Sequence, residues 1–249
     1  MSLISITETN VFTALKAVLL TFGLQTAAGA SLPAAQIIKG QVNRVPEPQA
    51  TDFVVLWPLL RNRLATNIDD WLDNSFAGSI TANVLTVTSV AKGSVVVGLP
   101  IYGANIAAGC RIVSQLTGTP SGIGTYSVLT TPDITSETLY GGEYDATQYT
   151  EMVIQCDVHG PGSSDNAQRI STLMRDMYGV QAFQDVMDGI VPLYVDDPRQ
   201  LPFTNAEQQW EDRWTIDIHL QVNIELTLSQ QFADALTVGV ISVEATYPP

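Results

Sequence analysis

The sequence predicts an α+β fold, in which a mixed or antiparallel sheet carries helices on one face and a small all-β domain is inserted into the chain. Three observations lead to this prediction. A long alternating strand lies near the C-terminus, helical segments are interspersed among strands, and the composition changes between residues 77 and 144. The host domain is then residues 1–76 together with residues 145–249.

The central element is the stretch Trp214–Leu226, in which apolar and polar residues alternate without a break. Successive side chains of a strand point to opposite faces, so the pattern predicts one strand with an apolar face and a polar face. Its thirteen residues exceed the usual strand length of roughly 3–10 residues. We therefore expect it to be a core strand that is dry on one side and faces water or a partner on the other.

Helical patterns occur before and after the region of changed composition. Residues 7–22 have an apolar face, with Thr7 as the expected N-cap and Gly23 as the expected stop. Asp165 is expected to cap a second helix that ends at Gly179, with Gln168 completing a capping box. A third, short helix is predicted over residues 180–187.

Five further strands are predicted in the host domain, at Gln36–Asn43, Asp52–Leu60, Tyr149–His159, Ile190–Val195 and Thr237–Thr246. The second is almost entirely apolar, which predicts burial on both faces, and its proline should end it or lie at a sheet edge. The third alternates and is the natural partner of the long strand.

Residues 77–144 are rich in Thr, Ser, Val and Gly and contain only two basic residues, Lys92 and Arg111. Short β-type segments separated by glycine-containing turns predict a small all-β module. The predicted strands are Val84–Val90, Ser94–Val97, Arg111–Leu116, Tyr126–Thr130 and Thr138–Tyr140. An insertion of this length is tolerated at a surface loop because loop-closure entropy grows slowly with loop length.

Composition limits the classes of function. The chain has 249 residues and a formal net charge of −14, which disfavours a polyanionic partner over most of its surface. It contains no run of about 18 apolar residues that would predict a membrane span. The first basic residue is Lys16, so we expect no signal peptide. Two cysteines do not make a disulfide framework, and we expect both to be reduced, with synthesis in the cytoplasm.

A search for chemistry in the sequence predicts no catalytic, cofactor-binding or metal site. Cys156 and His159 form half of a possible zinc motif, but the other half is missing because Cys110 is alone in the inserted module. A nucleophilic Cys–His pair would need both side chains on one side of the strand. Adjacent carboxylates could bind a cation or transfer protons, but no motif accompanies them, and solvated turns or interface charges are the favoured interpretation. These pairs are Asp69 with Asp70, Asp196 with Asp197, and Glu211 with Asp212.

Protein interfaces are the remaining kind of site. Trp210 lies among polar residues just before the long strand, and a partly exposed Trp in such a context is enriched at interfaces. The polar face of the long strand is a second candidate. Its residues are Asp217, His219, Gln221, Asn223 and Glu225.

Two stretches resemble phage proteins. The Val/Thr-rich module ending in Gly118-Thr119-Pro120-Ser121-Gly122-Ile123-Gly124-Thr125-Tyr126 is similar to a small β module that recurs in tailed-phage structural proteins. The flanking parts contain four further stretches with a recognisable pattern: Tyr149–Gly162 with the following helix, Val191-Pro192-Leu193-Tyr194, Asp196-Asp197-Pro198-Arg199, and Gln209–Val222. On these residues the flanking parts resemble neck proteins of long-tailed, mainly contractile-tailed phages, and within that family the tail terminators.

The resemblance implies a non-enzymatic virion protein with an α+β fold that forms a homo-hexameric ring. Such a ring caps the finished tail tube and offers a docking surface to the head, so its expected partners are copies of itself, the tail tube protein, the sheath protein and head–tail connector proteins. DNA can pass through such a ring without specific recognition, and no membrane is involved. Three alternatives stay open: another head–tail connector or minor tail protein, a glycan-binding module, and an enzyme.

Overall fold

The computed structural model describes residues 4–40, 52–129, 132–204 and 210–229. Its contacts divide the chain into two compact units. The helical unit consists of Leu3–Ile68 and Ala146–Leu226, and the β unit consists of Asp69–Asp145 with Met1–Ser2 and Thr227–Pro249. Three helices and a mixed sheet of many strands confirm the predicted α+β class.

The elements in chain order are α1 (Glu8–Thr21), β1 (Ile37–Lys39), β2 (Phe53–Arg63), β3 (Ile68–Thr81), β4 (Val84–Lys92), β5 (Ile112–Gly118), β6 (Gly124–Val128), β7 (Ile134–His159), α2 (Ser163–Met174), α3 (Met177–Val186), β8 (Ile190–Val195), β9 (Arg199–Gln200), β10 (Phe203–Thr204), β11 (Trp210–Glu211) and β12 (Arg213–Ser229). A single 3₁₀ turn, Ala34–Gln36, precedes β1 within the described residues. The first part of β7 belongs to the β unit and the rest to the helical unit.

The sheet of the helical unit has the order β1–β2–β7–β12, with β8 and β9 both pairing with β12. The pairing of β7 with β12 confirms the partnership predicted from the two alternating patterns. Strand β1 runs parallel to β2, whereas β2 is antiparallel to β7 and β8 is antiparallel to β12. The sheet of this unit is therefore mixed.

Alternate residues of β7 and β12 build the core beneath the helices. Ile216, Ile218, Leu220 and Val222 of β12 are all buried, as the alternation predicted. They join the apolar faces of α1, α2 and α3 and the even-numbered residues of β7 from Met152 to Val158 in one core cluster. The odd-numbered residues of both strands consequently point to the face opposite the helices.

Helix α1 begins where the sequence predicted. The side chain of Thr7 accepts a hydrogen bond from the backbone N–H of Asn10, and the Asn10 side chain accepts one from the N–H of Thr7. This reciprocal pair is a capping box, which satisfies N–H groups that have no partner within the helix. Gly23 has a positive φ of 66° immediately after the C-cap, which is the backbone conformation that ends many helices.

The predicted boundary between the second and third helices is wrong. Gly162, not Asp165, is the N-cap of α2, and Asp165 lies in its first turn. The helix ends at Met174, and Asp176 caps α3 by accepting a hydrogen bond from the N–H of Tyr178. Gly179 lies inside α3, where a Cβ atom would be 2.7 Å from the carbonyl oxygen of Leu173. The glycine therefore permits a close approach of α2 and α3 and does not end a helix.

Strand β2 is longer than predicted. It continues through Pro58 to Arg63, and its register with β7 shifts between Pro58 and Leu60. Strand β1 has already ended at the residue that pairs with Leu56, so the missing N–H of the proline leaves no gap in that ladder. The end of the first predicted strand, beyond Gly40, and the predicted strand Thr237–Thr246 lie outside the described residues.

The β unit has its own core. The first part of β7 is followed by β3, β4, β6 and β5 in that order, and the core cluster includes Phe76, Ile80, Leu85, Tyr126 and Leu139. One prediction is wrong here, because residues 94–97 are irregular. The predicted strand at 138–140 is a strand, but it is only part of the much longer β7. Strand β3 was not predicted at all.

Strand β8 forms an outer edge of the sheet in the helical unit, because its only described partner is β12. Its bounds, Ile190–Val195, agree with the prediction. The strand contains Pro192, and its register with β12 shifts between His219 and Leu220, which leaves Leu193 as an extra, exposed residue. A proline and a bulge both weaken an edge as a template for another strand.

Candidate functional site

The candidate surface is the face of the sheet opposite the helices, which we call the polar face. It consists of Glu151, Gln155, Asp157 and His159 of β7 and Asp217, His219, Gln221, Asn223 and Glu225 of β12. These residues alternate with the buried core residues of the same two strands, so one sheet supplies both faces. All of them belong to the helical unit.

His219 is the centre of a row of side chains that crosses four strands. Its Nδ1 atom is 2.8 Å from Oε1 of Glu151, and its ring stacks on Tyr194 with 3.9 Å between the ring centroids. The hydroxyl of Tyr194 donates to Glu151 at 3.3 Å, and the amide of Asn62 donates to the other carboxylate oxygen at 3.2 Å. The hydrogen bond from His219 is the main reason why the pKa of Glu151 lies below its ordinary value. The row is thus held by hydrogen bonds on both sides of one carboxylate.

Asp217 holds a second row. One of its carboxylate oxygens accepts from Nη2 of Arg199 at 3.3 Å, and the other accepts from the amide of Gln155 at 3.4 Å. Arg199 belongs to the short edge strand β9, which pairs with β12. Asp217 therefore connects the edge of the sheet to its centre.

Gln221, Asn223 and Glu225 continue the polar face toward the end of β12. The amide of Gln221 donates to the side-chain oxygen of Asn223 at 2.9 Å. The backbone of Asn223 donates to Gly189, and the backbone of Glu225 both accepts from the N–H of Ser5 and donates to its hydroxyl. The Glu225 side chain is exposed. The structure thus places all five candidates of the long strand on one face.

Trp210 lies apart from that row, in the antiparallel pair of β10 and β11, which we call the Trp210 ribbon. The indole is 79% exposed, the largest exposure of any large hydrophobic side chain in the described residues. Thr204 is the residue opposite Trp210 in this pair. An exposed Trp on an ordered strand is a surface feature that a partner can bury.

One contact from the Trp210 ribbon and two from the residues that follow it fix the ribbon beside the polar face. Glu211 Oε1 is 3.1 Å from Nδ1 of His159, and the guanidinium of Arg213 donates to Asp157 at 2.5 Å. The backbone N–H of Gly160 donates to the carbonyl of Asp212 at 2.9 Å. Trp210 is therefore held by anchored neighbours on its C-terminal side.

Asp157 is the most deeply buried of these anchors. Its side chain is only 2% exposed, and this burial raises the pKa of its carboxyl group, while the neighbouring Arg213 opposes the rise. The imidazole of His159 stacks on Phe53 with 4.4 Å between ring centroids. Removing either Asp157 or Arg213 from their buried pair is costly, because the remaining charge is left without compensation.

Several of these residues were missed from the sequence, namely Glu151, Asn62, Asp157, Tyr194, Arg199 and Arg213. The alternation in Tyr149–His159 contains a signal for Glu151 and Asp157, since it places them on the face opposite Met152 and Val158. Asn62 and Arg199 carry no such signal, because their positions depend on strand pairing over long sequence distances.

The residues considered for chemistry do not meet. Cys156 points into the core and is fully buried, which raises the pKa of its thiol strongly, whereas His159 lies on the polar face. Neither Cys156 nor Cys110 is in a disulfide. Across the part of the chain that the structure describes, no three His, Cys, Asp or Glu side chains group as a metal site would require.

Comparison with known proteins places the chain in a family. No curated protein matches the chain significantly. Among the described helices, none has the length and apolar character needed to span a bilayer. The family described as phage neck terminator protein matches residues 110–247, which is more than half of the chain. This chain therefore belongs to the phage neck terminator protein family, and its role is structural, at the tail or neck of the phage particle.

Proposed function

We propose that this chain forms a homo-hexameric ring at the head-proximal end of a long, contractile phage tail, where it terminates the tail tube and joins it to the neck. The observation that carries the proposal is the exposed Trp210, which is anchored through its neighbours to a polar face whose side chains are already fixed by one another. In this mechanism the protein acts through its geometry: self-association on the end of the tube stops growth and creates the joint.

The side chains of the polar face are already held in place by hydrogen bonds, which supports a role in binding. Glu151, Asp157 and Asp217 hold their neighbours in hydrogen-bonded rows before any partner arrives. A partner that docks on fixed side chains does not have to order them, so less conformational entropy is lost on binding. The exposed indole of Trp210 adds the kind of side chain that most often dominates binding energy at interfaces.

Charge supports the proposed passage of DNA. The chain carries 25 acidic and 11 basic residues. A ring of such subunits repels phosphate over most of its surface, so DNA can cross it without being held. The partners that we propose are other copies of the chain, the tail tube protein, the sheath protein and the head–tail connector proteins.

We also propose that residues 77–144 are an inserted domain hosted by residues 1–76 and 145–249. Within the helical unit, the amide of Gln148 donates to the side chain of Asn67 at 3.1 Å. Close by, the backbone N–H of Leu64 donates to the carbonyl of Tyr149 at 2.9 Å. The chain thus leaves the helical unit and returns to it at one place, which is the arrangement that tolerates an insertion.

Electron microscopy of tail tubes mixed with the purified protein tests the proposed function. We expect six-fold density at one end of each tube and tube lengths that stop increasing after addition. A twelve-fold ring would indicate a head–tail connector, and density distributed along the tube or absent from its ends would contradict termination. Light scattering of the protein alone should give a mass near six subunits or a monomer–hexamer equilibrium.

A second candidate function rests on an aromatic pair in the β unit. Trp71 is 57% exposed, and its ring centroid lies 4.5 Å from that of Tyr144. An exposed indole packed against a half-buried tyrosine ring offers an apolar surface, which suits a sugar ring on a host surface. Binding of the full chain to a glycan array that is lost with Trp71→Ala and kept with Trp210→Ala would support this function, and a blank array would exclude it.

A further inference from the structure

The helical unit carries a groove on its helix side that the proposed function does not use. The groove has a volume of about 350 Å³ and lies where α1 crosses β1 and β2. Phe12, Ile37 and Leu56 give it an apolar floor, and Thr13, Lys16 and Lys39 are at its rim. Its size falls at the lower end of the range of ligand pockets, roughly 300–1,000 Å³.

The charge of the groove is unusual for this chain. The sequence contains only three lysines, and two of them, Lys16 and Lys39, line the groove. Lys39 pairs with Glu8 and lies 4.4 Å from the centroid of the Phe12 ring. Lys16 makes no ion pair with any residue that the structure describes. An apolar floor with a cationic rim suits an aromatic side chain that is accompanied by a carboxylate.

The Trp210 ribbon has the complementary features. The exposed indole of Trp210 is followed two residues later by the exposed carboxylate of Asp212. The backbone carbonyl of Asp212 accepts a hydrogen bond from the N–H of Gly160, so the carboxylate is carried by an anchored backbone two residues after the indole. We propose that the Trp210 ribbon of one subunit inserts into this groove of a second copy of the chain, with the indole on Phe12 and Asp212 against Lys16.

The ribbon and the groove are separate surfaces of one subunit. The groove is lined by residues of α1, β1 and β2. Glu211 and Arg213 bind His159 and Asp157 on the polar face, so Trp210 and Asp212, which alternate with them, point away from that face. Trp210 is 79% exposed and is therefore not buried in the groove of its own subunit. A contact between the ribbon of one subunit and the groove of another is head-to-tail. Contacts of this type generate rings when the rotation between subunits closes.

This inference rests on the proposed ring, and a mixing experiment tests it. Trp210→Ala removes the inserted side chain and leaves the groove intact. The double variant Thr13→Glu/Lys16→Glu repels Asp212 at the groove and leaves the ribbon intact. Each variant alone should be monomeric, with the dissociation constant of the self-contact raised about 30-fold or more. An equimolar mixture should contain heterodimers and nothing larger, because only one intact ribbon–groove pair is present.

Matched controls separate the contact from a general loss of stability. Trp71→Ala removes the other strongly exposed tryptophan, and Lys92→Glu reverses the only lysine outside the groove. Both should assemble as the unchanged chain does. In a charge exchange, Lys16→Glu and Asp212→Lys should each weaken assembly, and the two combined in one chain should restore it.

Several outcomes would overturn the inference. Assembly of Trp210→Ala at the unchanged concentration, a mixture that remains monomeric, or a charge exchange without recovery would each do so. An unchanged chain that stays monomeric at the highest attainable concentration would exclude this contact as a self-contact. The proposed function stands or falls separately, on whether the protein caps tail tubes in electron micrographs.

Discussion

At the scale of single residues, Glu151 organises the polar face. One carboxylate oxygen accepts hydrogen bonds from His219 and Tyr194, and the other accepts one from Asn62. The side chain is mostly buried, so these hydrogen bonds are formed with little competition from water. The row depends on Glu151 remaining ionised, because a protonated carboxyl group would offer fewer acceptors to the same three donors.

The ionisation of Glu151 gives a prediction for stability and pH. The pKa of Glu151 is lowered in the folded chain, mainly by the hydrogen bond from His219, and is about 4.3 when unfolded. At a pH between the folded and unfolded pKa values of Glu151, the unfolded state binds more protons than the folded state. The free energy of unfolding therefore falls as the pH falls through this range, and the stabilising contribution of Glu151 is complete above it. Glu151→Gln should cost about 1 kcal/mol at pH 7. The cost should shrink as the pH falls below the unfolded-state pKa of Glu151.

Urea unfolding from pH 7 to pH 3 measures this difference. The matched control is Glu225→Gln, an exposed carboxylate on the same polar face, which should change the free energy of unfolding by less than about 0.5 kcal/mol. A difference between Glu151→Gln and the unchanged chain that is constant over the whole pH range would contradict the assigned role.

At the scale of elements, local patterns predicted α1 and the strands β2, β4, β5, β6, β8 and β12 close to their observed bounds. Long-range pairing and packing decided β3, the length of β7 and the boundary between α2 and α3. Alternation in β12 and the Thr7 cap are visible in the sequence because each acts on neighbouring residues. Strand β3 begins with exposed acidic residues, so its extended form comes from pairing with β4 and β7 and not from its own propensity. Gly179 was misassigned because the close approach of α2 and α3 has no local signal.

The candidate site shows the same division. The candidates on β12 follow from alternation, which fixes the face of every second residue once one is known to be buried. Their partners Asn62 and Arg199 come from β2 and β9, and no pattern in those segments reveals the pairing. Trp210 was identified by its polar sequence context, whereas its anchoring by Asp157 and His159 depends on the fold.

The register of β12 gives a prediction at this scale. Leu220 is fully buried in the core, so Leu220→Asp places a charge among apolar side chains and should unfold the helical unit. The loss should exceed about 4 kcal/mol, the upper part of the range for point substitutions. Circular dichroism and urea unfolding check this result. Leu228→Asp, which changes an exposed leucine of the same strand, should be tolerated.

At the scale of the whole molecule, each unit has a core of its own. The core of the helical unit draws on α1, α2, α3 and the strands that they cover, and the core of the β unit draws on β3 to β7. A chain with two separate cores can lose one and keep the other if its ends can be rejoined. Asn67 and Gln148 lie within hydrogen-bond distance, so a short turn can rejoin them.

We predict that replacing Asp69–Asp145 with a short turn containing Asn-Gly yields a soluble α+β protein, because such turns connect adjacent antiparallel strands. Circular dichroism should show helix and strand, and urea unfolding should be cooperative. The same deletion combined with Leu220→Asp is the control and should be unfolded. Aggregated product with every turn length tried would show that the β unit is required for the core of the helical unit.

The irregular edge formed by strand β8 affects how free subunits behave before they assemble. This edge carries Pro192 and a bulge, and both make it a poor template for a strand from another molecule. Purified subunits are therefore expected to resist growth into fibrils along this edge, even at high concentration.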